Sequence, residues 1–213
     1  MEGKMRRLIV LLLAVITCFA AVSCSADGEN EYLAEEATGT IEEGTDEWEA
    51  LEDMLPMLTV DSIDIPEFDS MRESVRLFRD SVLNYLSCKN YRRYAGNSEM
   101  LEAIRGEYPG LDPISAISKN EFEAEMYRAF GGKVKITHES TKLFTYLDRS
   151  YVYIPVTAPI EGGVDFTLLS AEETDSTYRI EFTVAEDENV NDYFAMLIKR
   201  EDGSCYFSMV VKR

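Results

Sequence analysis

The sequence is poor in the residues that most often perform nucleophilic or metal-dependent catalysis. Its 213 residues include one histidine, His138, and four cysteines, with no C-x-x-C pair. A Ser-His-Asp or Cys-His site would have to use His138, and no nucleophile-elbow motif accompanies it. A zinc site needs three or four ligands, mostly nitrogen and sulfur. We therefore expect no catalytic residue, no metal site and no cofactor, and we expect His138 to be an exposed residue at the end of a strand.

Basic residues are also scarce. The chain has 21 Lys and Arg against 40 Asp and Glu, a formal net charge of -19. Nucleic-acid binding requires a basic surface, so that class of function is excluded. The glycine pairs at 131–132 and 162–163 lack the flanking pattern of a phosphate-binding loop.

Long apolar runs are missing except near the N-terminus. Residues 8–22 form an apolar run that follows Lys4, Arg6 and Arg7. A basic segment, a short apolar segment and small residues are typical of a secretory signal. The run is too short to span a bilayer comfortably, because a span needs about 20 residues. We predict a signal peptide at residues 1–23.

The end of this leader resembles the lipobox of bacterial lipoproteins, with Ala21-Val22-Ser23 before Cys24. The resemblance implies that the Cys24 thiol receives a diacylglycerol and becomes the new N-terminus. The mature protein would then be anchored in the cell membrane on its extracytoplasmic face. The alternative is ordinary cleavage after Ser23, which would give a secreted protein.

An acidic segment follows, at residues 24–64, which contains no Lys, Arg or His. Its first part has too few bulky residues to offset the entropy of ordering, and its like charges favour an extended chain. We expect a solvated tether between lipid and domain; the alternative is an acidic arm that binds a cation or a partner.

One stretch of the tether has a helical pattern. We predict a short helix at residues 46–55, with Thr45 and Asp46 both able to cap its start and Pro56 ending or kinking it. Its apolar residues at helical spacing are Trp48, Leu51, Leu55 and Leu58. Trp48, the only tryptophan, either docks on the domain or binds a partner, and we favour docking.

Residues 65–213 have the pattern of a single α+β domain that begins with three helices. Apolar residues three and four apart predict one long helix over about 67–92. A short helix begins at Asn97 and Ser98. A third begins at Ser118, where Glu121 completes a capping box, and ends at the glycine pair 131–132.

Beyond residue 133 the apolar period changes to two, which predicts strands. The expected strands are 134–136, 151–157, 164–171, 177–184, 193–200 and 205–211. Asp202-Gly203 is typical of a type I′ hairpin turn. Pro155 cannot donate a ladder hydrogen bond, so its strand should lie at an edge or carry a bulge. The pattern predicts three helices packed on a curved antiparallel sheet of five to six strands.

Lipobox, acidic spacer, long first helix, short helices and meandering strands together resemble the NTF2-like, cystatin-related extracytoplasmic lipoproteins. The resemblance covers about residues 65–213 and concerns the order of elements. It implies an NTF2-like fold, a ligand pocket and a dimer formed through the sheet face.

Two predicted strands are apolar on both faces, although a sheet covered by helices on one side normally has a polar second face. Either both faces belong to the core, or something else covers the second face. That cover would be a bend of the sheet that encloses a pocket, the Trp48 segment, or a second subunit. The candidate pocket or interface residues are Tyr151, Tyr153, Tyr193, Phe207, Met209 and Trp48.

Two pairs of residues suggest further chemistry. Cys88 and Cys205 are a candidate disulfide in an oxidising compartment. Asp165 and Glu181 are the carboxylates to consider for a hydrolase, although their strand alternation predicts that both face solvent.

We expect a non-enzymatic, membrane-anchored lipoprotein whose domain binds a small molecule or an envelope protein. One alternative is a carboxylate-dependent hydrolase. Another is an envelope assembly component that uses the sheet face as an interface. A homodimer is a candidate in each case.

Overall fold

The structure is a computed structural model that describes residues 35–68, 71–94, 99–132 and 136–213. Residues 36–213 form one compact unit. The signal peptide, the lipobox and Cys24 lie outside the described residues. The domain boundary that we expected at residue 65 falls inside this unit.

The described residues contain four α-helices and eight strands. The helices are α1 (Asp46–Glu52), α2 (Met71–Tyr94), α3 (Glu99–Glu107) and α4 (Lys119–Phe130). The strands are β1 (Gly39–Thr40), β2 (Ile117–Ser118), β3 (Phe144–Leu147), β4 (Val152–Pro155), β5 (Asp165–Glu173), β6 (Thr177–Glu186), β7 (Asn189–Lys199) and β8 (Cys205–Lys212). A 3-10 turn, Leu55–Met57, follows α1.

A curved antiparallel sheet of five strands, in the order β1-β5-β6-β7-β8, forms one layer of the domain. Its last four strands are joined by consecutive hairpins, and β6 has the expected alternation, with Ile180, Phe182 and Val184 fully buried. The hairpin predicted at Asp202-Gly203 is confirmed, but the type I′ turn is wrong. Among the two turn residues only Gly203 has a positive φ, of 83°, whereas a type I′ turn requires two.

A second sheet of three strands, in the order β2-β4-β3, lies apart from the first. The single sheet that we expected is therefore two. Pro155 was expected in an edge or bulged strand, but β4 is the central strand of this sheet. Pro155 is tolerated because β2 pairs only with residues 152 and 153 and ends before the proline. Ile136 is not in a strand, and residues 134 and 135 of the strand predicted at 134–136 lie outside the described residues.

Capping residues set both ends of helix α4. Ser118 caps α4, because its side-chain oxygen accepts a hydrogen bond from the Glu121 N–H at 3.1 Å. Gly131, with a φ of 64°, ends the same helix. The α+β class is confirmed. The long helix α2 begins at Met71, four residues after the predicted start at 67.

The segment that we assigned to the tether contributes to the main core. Helix α1 begins at Asp46 as predicted, with Thr45 as its cap. Trp48 is 7% exposed and packs in the main hydrophobic cluster with Leu51 and Leu55. The indole ring therefore docks on the domain. Earlier still, β1 adds to the edge of β5, and Ile41 is buried in the same cluster.

Candidate functional site

The best-formed concave site is a cavity of about 550 Å³. Three parts of the chain build it: residues 53–60 after α1, the middle of α2, and residues 160–166 before and within β5. Its size lies in the range of ordinary small-molecule sites, about 300–1,000 Å³. The lining residues are Asp53, Pro56, Thr59, Val60, Asn84, Tyr85, Cys88, Lys89, Ile160, Glu161, Gly162, Gly163, Val164 and Phe166.

One side of the cavity is a loop fastened to α2 by an asparagine. The Asn84 amide donates to the Ile160 carbonyl at 2.9 Å, and its oxygen accepts from the Ile160 N–H at 3.0 Å. The Cys88 thiol donates to the same carbonyl at 3.5 Å. The Asn84 side chain thus satisfies the N–H and the carbonyl of Ile160, as a neighbouring strand would do in a sheet.

The same loop approaches residues 53–60 at Gly163. A Cβ atom added to Gly163 would lie 2.6 Å from the Val60 carbonyl oxygen. Only glycine permits so close an approach. Val60 is held in turn by a tight turn in which Thr59 Oγ1 donates to the Ser62 carbonyl at 2.9 Å.

Apolar groups and aromatic rings form most of the wall. Tyr85 projects from α2 and Phe166 from β5, and the aliphatic side chains come from Val60, Ile160 and Val164. Burial raises the pKa of Tyr85, and the charges of Glu125 and Asp53 add to that rise. The phenol is therefore neutral at physiological pH.

Charged groups lie at the edge of this wall. Asp53, Lys89 and Glu161 are all exposed. The Lys89 Nζ lies 5.8 Å from the centroid of the Tyr85 ring, a cation–π distance. The carboxylates that line the cavity are therefore in contact with solvent and open to a charged ligand.

A smaller cavity of about 300 Å³ lies beside the other side of α2 and includes Arg76, Arg79 and Glu139. The Arg79 guanidinium donates to Glu139 at 2.8 Å and to the Thr137 carbonyl at 2.7 Å. Its two terminal nitrogens thus have protein partners, so this cavity is the weaker candidate.

His138 is not the exposed strand-end residue that we expected. Its side chain is 9% exposed. Its Nδ1 lies 2.9 Å from the Tyr153 hydroxyl, and its Nε2 lies 2.8 Å from Glu123 Oε1. The expectation was wrong because no strand forms at residues 136–142 and the ring turns inward between α4 and the small sheet. Both ring nitrogens have protein partners, which indicates a structural role.

The candidate pocket residues from the sequence do not line the cavity. Tyr153, Tyr193 and Phe207 are fully buried core residues. The Tyr193 hydroxyl, for example, donates to the Ile63 carbonyl at 2.7 Å. Tyr151 is the reverse case: it is 62% exposed, at a turn where its φ is 54°.

The second face of the main sheet is covered by its own side chains. Met196 is on that face, because its neighbours Ala195 and Leu197 are in the core, yet it is only 2% exposed. Met209, its partner on β8, is half-buried. Arg213 lies 5.6 Å over the Phe194 ring and pairs with Glu181 at 2.6 Å. The Arg213 side chain therefore covers the part of this apolar face around Phe194, as its aliphatic stem allows.

The candidate disulfide pair and the candidate carboxylate pair are not brought together in the structure. Cys88 and Cys205 are free thiols, so the candidate disulfide is not formed. Cys205 contacts Met54 Sδ at 3.7 Å, and burial raises the pKa of its thiol to about 11. Asp165 is exposed and lies opposite Ala185, whereas Glu181 lies opposite Ser170, several residues along the same ladder.

The residues that form the cavity carry few recognisable signals in the sequence. Asn84 and Lys89 occupy polar positions of an amphipathic helix, and the glycine pair 162–163 stands out in the sequence only as a pair without the pattern of a phosphate-binding loop. The one usable signal was Gly163, because glycine within a loop between strands often marks a close backbone approach.

In the ranges described above, no group of three or more His, Cys, Asp or Glu side chains is arranged to hold a metal ion. None of the described helices combines the length and the apolar character needed to cross a membrane. No protein-family model, curated protein or solved structure matches the chain.

Proposed function

We propose that this protein is a lipoprotein, anchored through Cys24 on the extracytoplasmic face of the membrane, whose domain binds a small molecule without transforming it. The observation that carries the binding proposal is the cavity of about 550 Å³ between α2, residues 53–60 and the 160–166 stretch. The anchor is supported by the leader and lipobox sequence.

Binding is favoured over hydrolysis by the state of the acids. A hydrolase that depends on two carboxylates needs one of them shielded enough to hold its proton. Asp53 and Glu161, the acids of the cavity, are both exposed. Glu123 is hydrogen-bonded to His138 away from the cavity.

We also propose an NTF2-like relationship at the level of architecture. Its support is the long helix α2, the shorter helices and the curved antiparallel sheet that follows them. A ligand cavity next to the first long helix agrees with what that resemblance implies.

Native mass spectrometry of the full chain, purified in detergent from its own host, tests the binding proposal. The native protein should carry a bound small molecule, and Val60→Trp, which places a large ring in the cavity, should lose it. Val190→Trp is the matched control, because Val190 is 56% exposed and lies outside the cavity. Equal retention by the two variants, or no bound molecule in the native protein, would contradict the proposal. The same spectrum reports whether the protein is a homodimer.

A further inference from the structure

Asp53 and Lys89 carry opposite charges at the edge of the same cavity. Neither forms an ion pair with any other residue in the part of the chain that the structure describes. We propose, on the basis of the function above, that the cavity binds a small zwitterion with an apolar body, such as a short apolar peptide with free ends. Its ammonium group would face Asp53 and its carboxylate would face Lys89.

The first step of the argument is that both charges act on one aromatic ring. The Lys89 ammonium lies 5.8 Å from the centre of the Tyr85 ring. The Asp53 carboxylate is close enough to influence the Tyr85 hydroxyl electrostatically. A ligand that packs on the Tyr85 ring therefore brings its own charged ends near both groups.

The second step concerns which polar groups remain for a ligand. The Asn84 amide is occupied by Ile160, and the Thr59 hydroxyl by the Ser62 main chain. The Cys88 thiol also bonds Ile160. Glu161, the third charged residue of the lining, already interacts within the protein, so Asp53 and Lys89 are the two charged side chains left to orient a ligand.

The third step is the apolar lining between those charges. Tyr85 and Phe166 present rings to the cavity, and Ile160 and Val164 present aliphatic groups. An apolar body gains free energy in proportion to the apolar area that it buries here. At Gly162 an added Cβ would meet nothing within 4 Å, so this part of the wall is open to a ligand.

A ligand with a single charge matches this site less well. A cation would approach Asp53 but would also approach the Lys89 ammonium. An anion would approach Lys89 but would also approach the Asp53 carboxylate. Juxtaposed like charges disfavour the wrong partner. A zwitterion satisfies both groups at once, and this is the basis for selecting it.

Three forms of one dipeptide separate these cases. Calorimetric titration of the full chain in detergent would use Leu-Phe, N-acetyl-Leu-Phe and Leu-Phe amide. Leu-Phe should bind the native protein about fivefold more tightly than either blocked form, the size expected for one partly exposed ion pair. Val60→Trp should abolish this binding and corrects for uptake of the peptide by detergent.

Charge-removing variants assign each end of the peptide. Lys89→Met should weaken Leu-Phe about fivefold but should not weaken Leu-Phe amide, because the amide has no carboxylate and is freed of the like charge. Asp53→Asn should weaken Leu-Phe but should not weaken N-acetyl-Leu-Phe, for the converse reason. Lys142→Met and Glu52→Gln, exposed residues that do not line the cavity, are the matched controls.

The zwitterion proposal is overturned if Leu-Phe does not bind, if the three peptides bind equally, or if the charge variants lower all affinities alike. These results leave the proposed function intact when the native protein still retains a molecule that Val60→Trp expels. If the native protein also retains no molecule, both the zwitterion proposal and the proposed function fail.

Discussion

Asn84 holds the main chain of Ile160 with two hydrogen bonds of opposite direction, at 2.9 and 3.0 Å. Apart from the weaker thiol contact of Cys88, these bonds fasten the loop to α2. The wall of the cavity thus depends on one polar side chain in the middle of an otherwise amphipathic helix.

Asn84→Ala should loosen the loop and destabilise the domain. It leaves the N–H of Ile160 without this partner and its carbonyl with only the weak Cys88 thiol contact, and an unpaired, partly buried polar group costs about 1–3 kcal/mol. Chemical denaturation measures the loss of stability, and hydrogen exchange should show faster exchange of the Ile160 amide. Asn189→Ala, at an exposed strand end, is the control. Unchanged exchange at Ile160 would show that the loop is held by other contacts.

Gly163→Ala and Gly106→Ala should have effects of opposite sign. The new methyl group at 163 would meet the Val60 carbonyl at 2.6 Å, so the loop must move away from residues 53–60. At Gly106, within α3, the methyl group meets nothing within 4 Å, and alanine should stabilise the helix by about 0.5–1 kcal/mol. Thermal unfolding and ligand retention by native mass spectrometry measure both effects. The structural account fails if the two variants behave alike.

Tyr153→Phe should lower stability without affecting ligand binding. It removes the hydroxyl that pairs with His138 Nδ1 at 2.9 Å, at a cost of about 1–3 kcal/mol. His138→Ala should also leave ligand binding intact, because the ring lies outside the cavity. A His138→Ala protein that folds but no longer binds would place the histidine in the functional site.

The same hydroxyl gives a pH dependence. Burial raises the pKa of Tyr153 from 10.0 to about 12. The folded state therefore holds this proton more tightly than the unfolded chain, so the free energy of unfolding falls as the pH rises from about 10 to about 12. Denaturation curves across that range should show a smaller fall for Tyr153→Phe. An identical slope would mean that the hydroxyl titrates normally in the fold.

Cys205 should react slowly in the folded protein. Because burial raises the pKa of its thiol to about 11, only about one molecule in a thousand carries the reactive thiolate at pH 8. Alkylation followed by peptide mapping should label Cys205 much faster in denaturant than in the native state. A reducing agent should not change the melting temperature, since Cys88 and Cys205 are free; a marked drop would reveal a disulfide.

Cys24→Ser should release the protein from membranes into the soluble fraction, because the thiol that carries the lipid is removed. Fractionation of cells, followed by immunoblotting, measures the change. Cys18→Ser is the control and should remain in the membrane fraction. Membrane association that survives Cys24→Ser would refute the lipid anchor.

Local patterns predicted the elements whose signals lie within a few residues. The alternation of β6 and the cap at Ser118 are of this kind, and both are confirmed. The small sheet is different, because its strands are only two to four residues long and owe their stability to pairing between distant segments. Short apolar runs of that length carry no reliable periodicity.

The site was harder to predict than the fold. His138 is buried by Glu123 and Tyr153, each 15 residues away along the chain and on opposite sides of it. The cavity exists because residues 53–60 and 160–163 meet, and their separation in sequence gives no periodic signal. The acidic composition of residues 24–64 also concealed that their second half is core.

Thr38 donates to the Glu173 carbonyl at 2.7 Å, so the folded domain has begun by that residue. On the proposed anchor at Cys24, only residues 25–37 separate the lipid from the fold. Fully stretched, they reach at most about 50 Å. The domain would stay within one or two protein diameters of the bilayer surface. Molecules that leave the same membrane would reach it there at a high effective concentration.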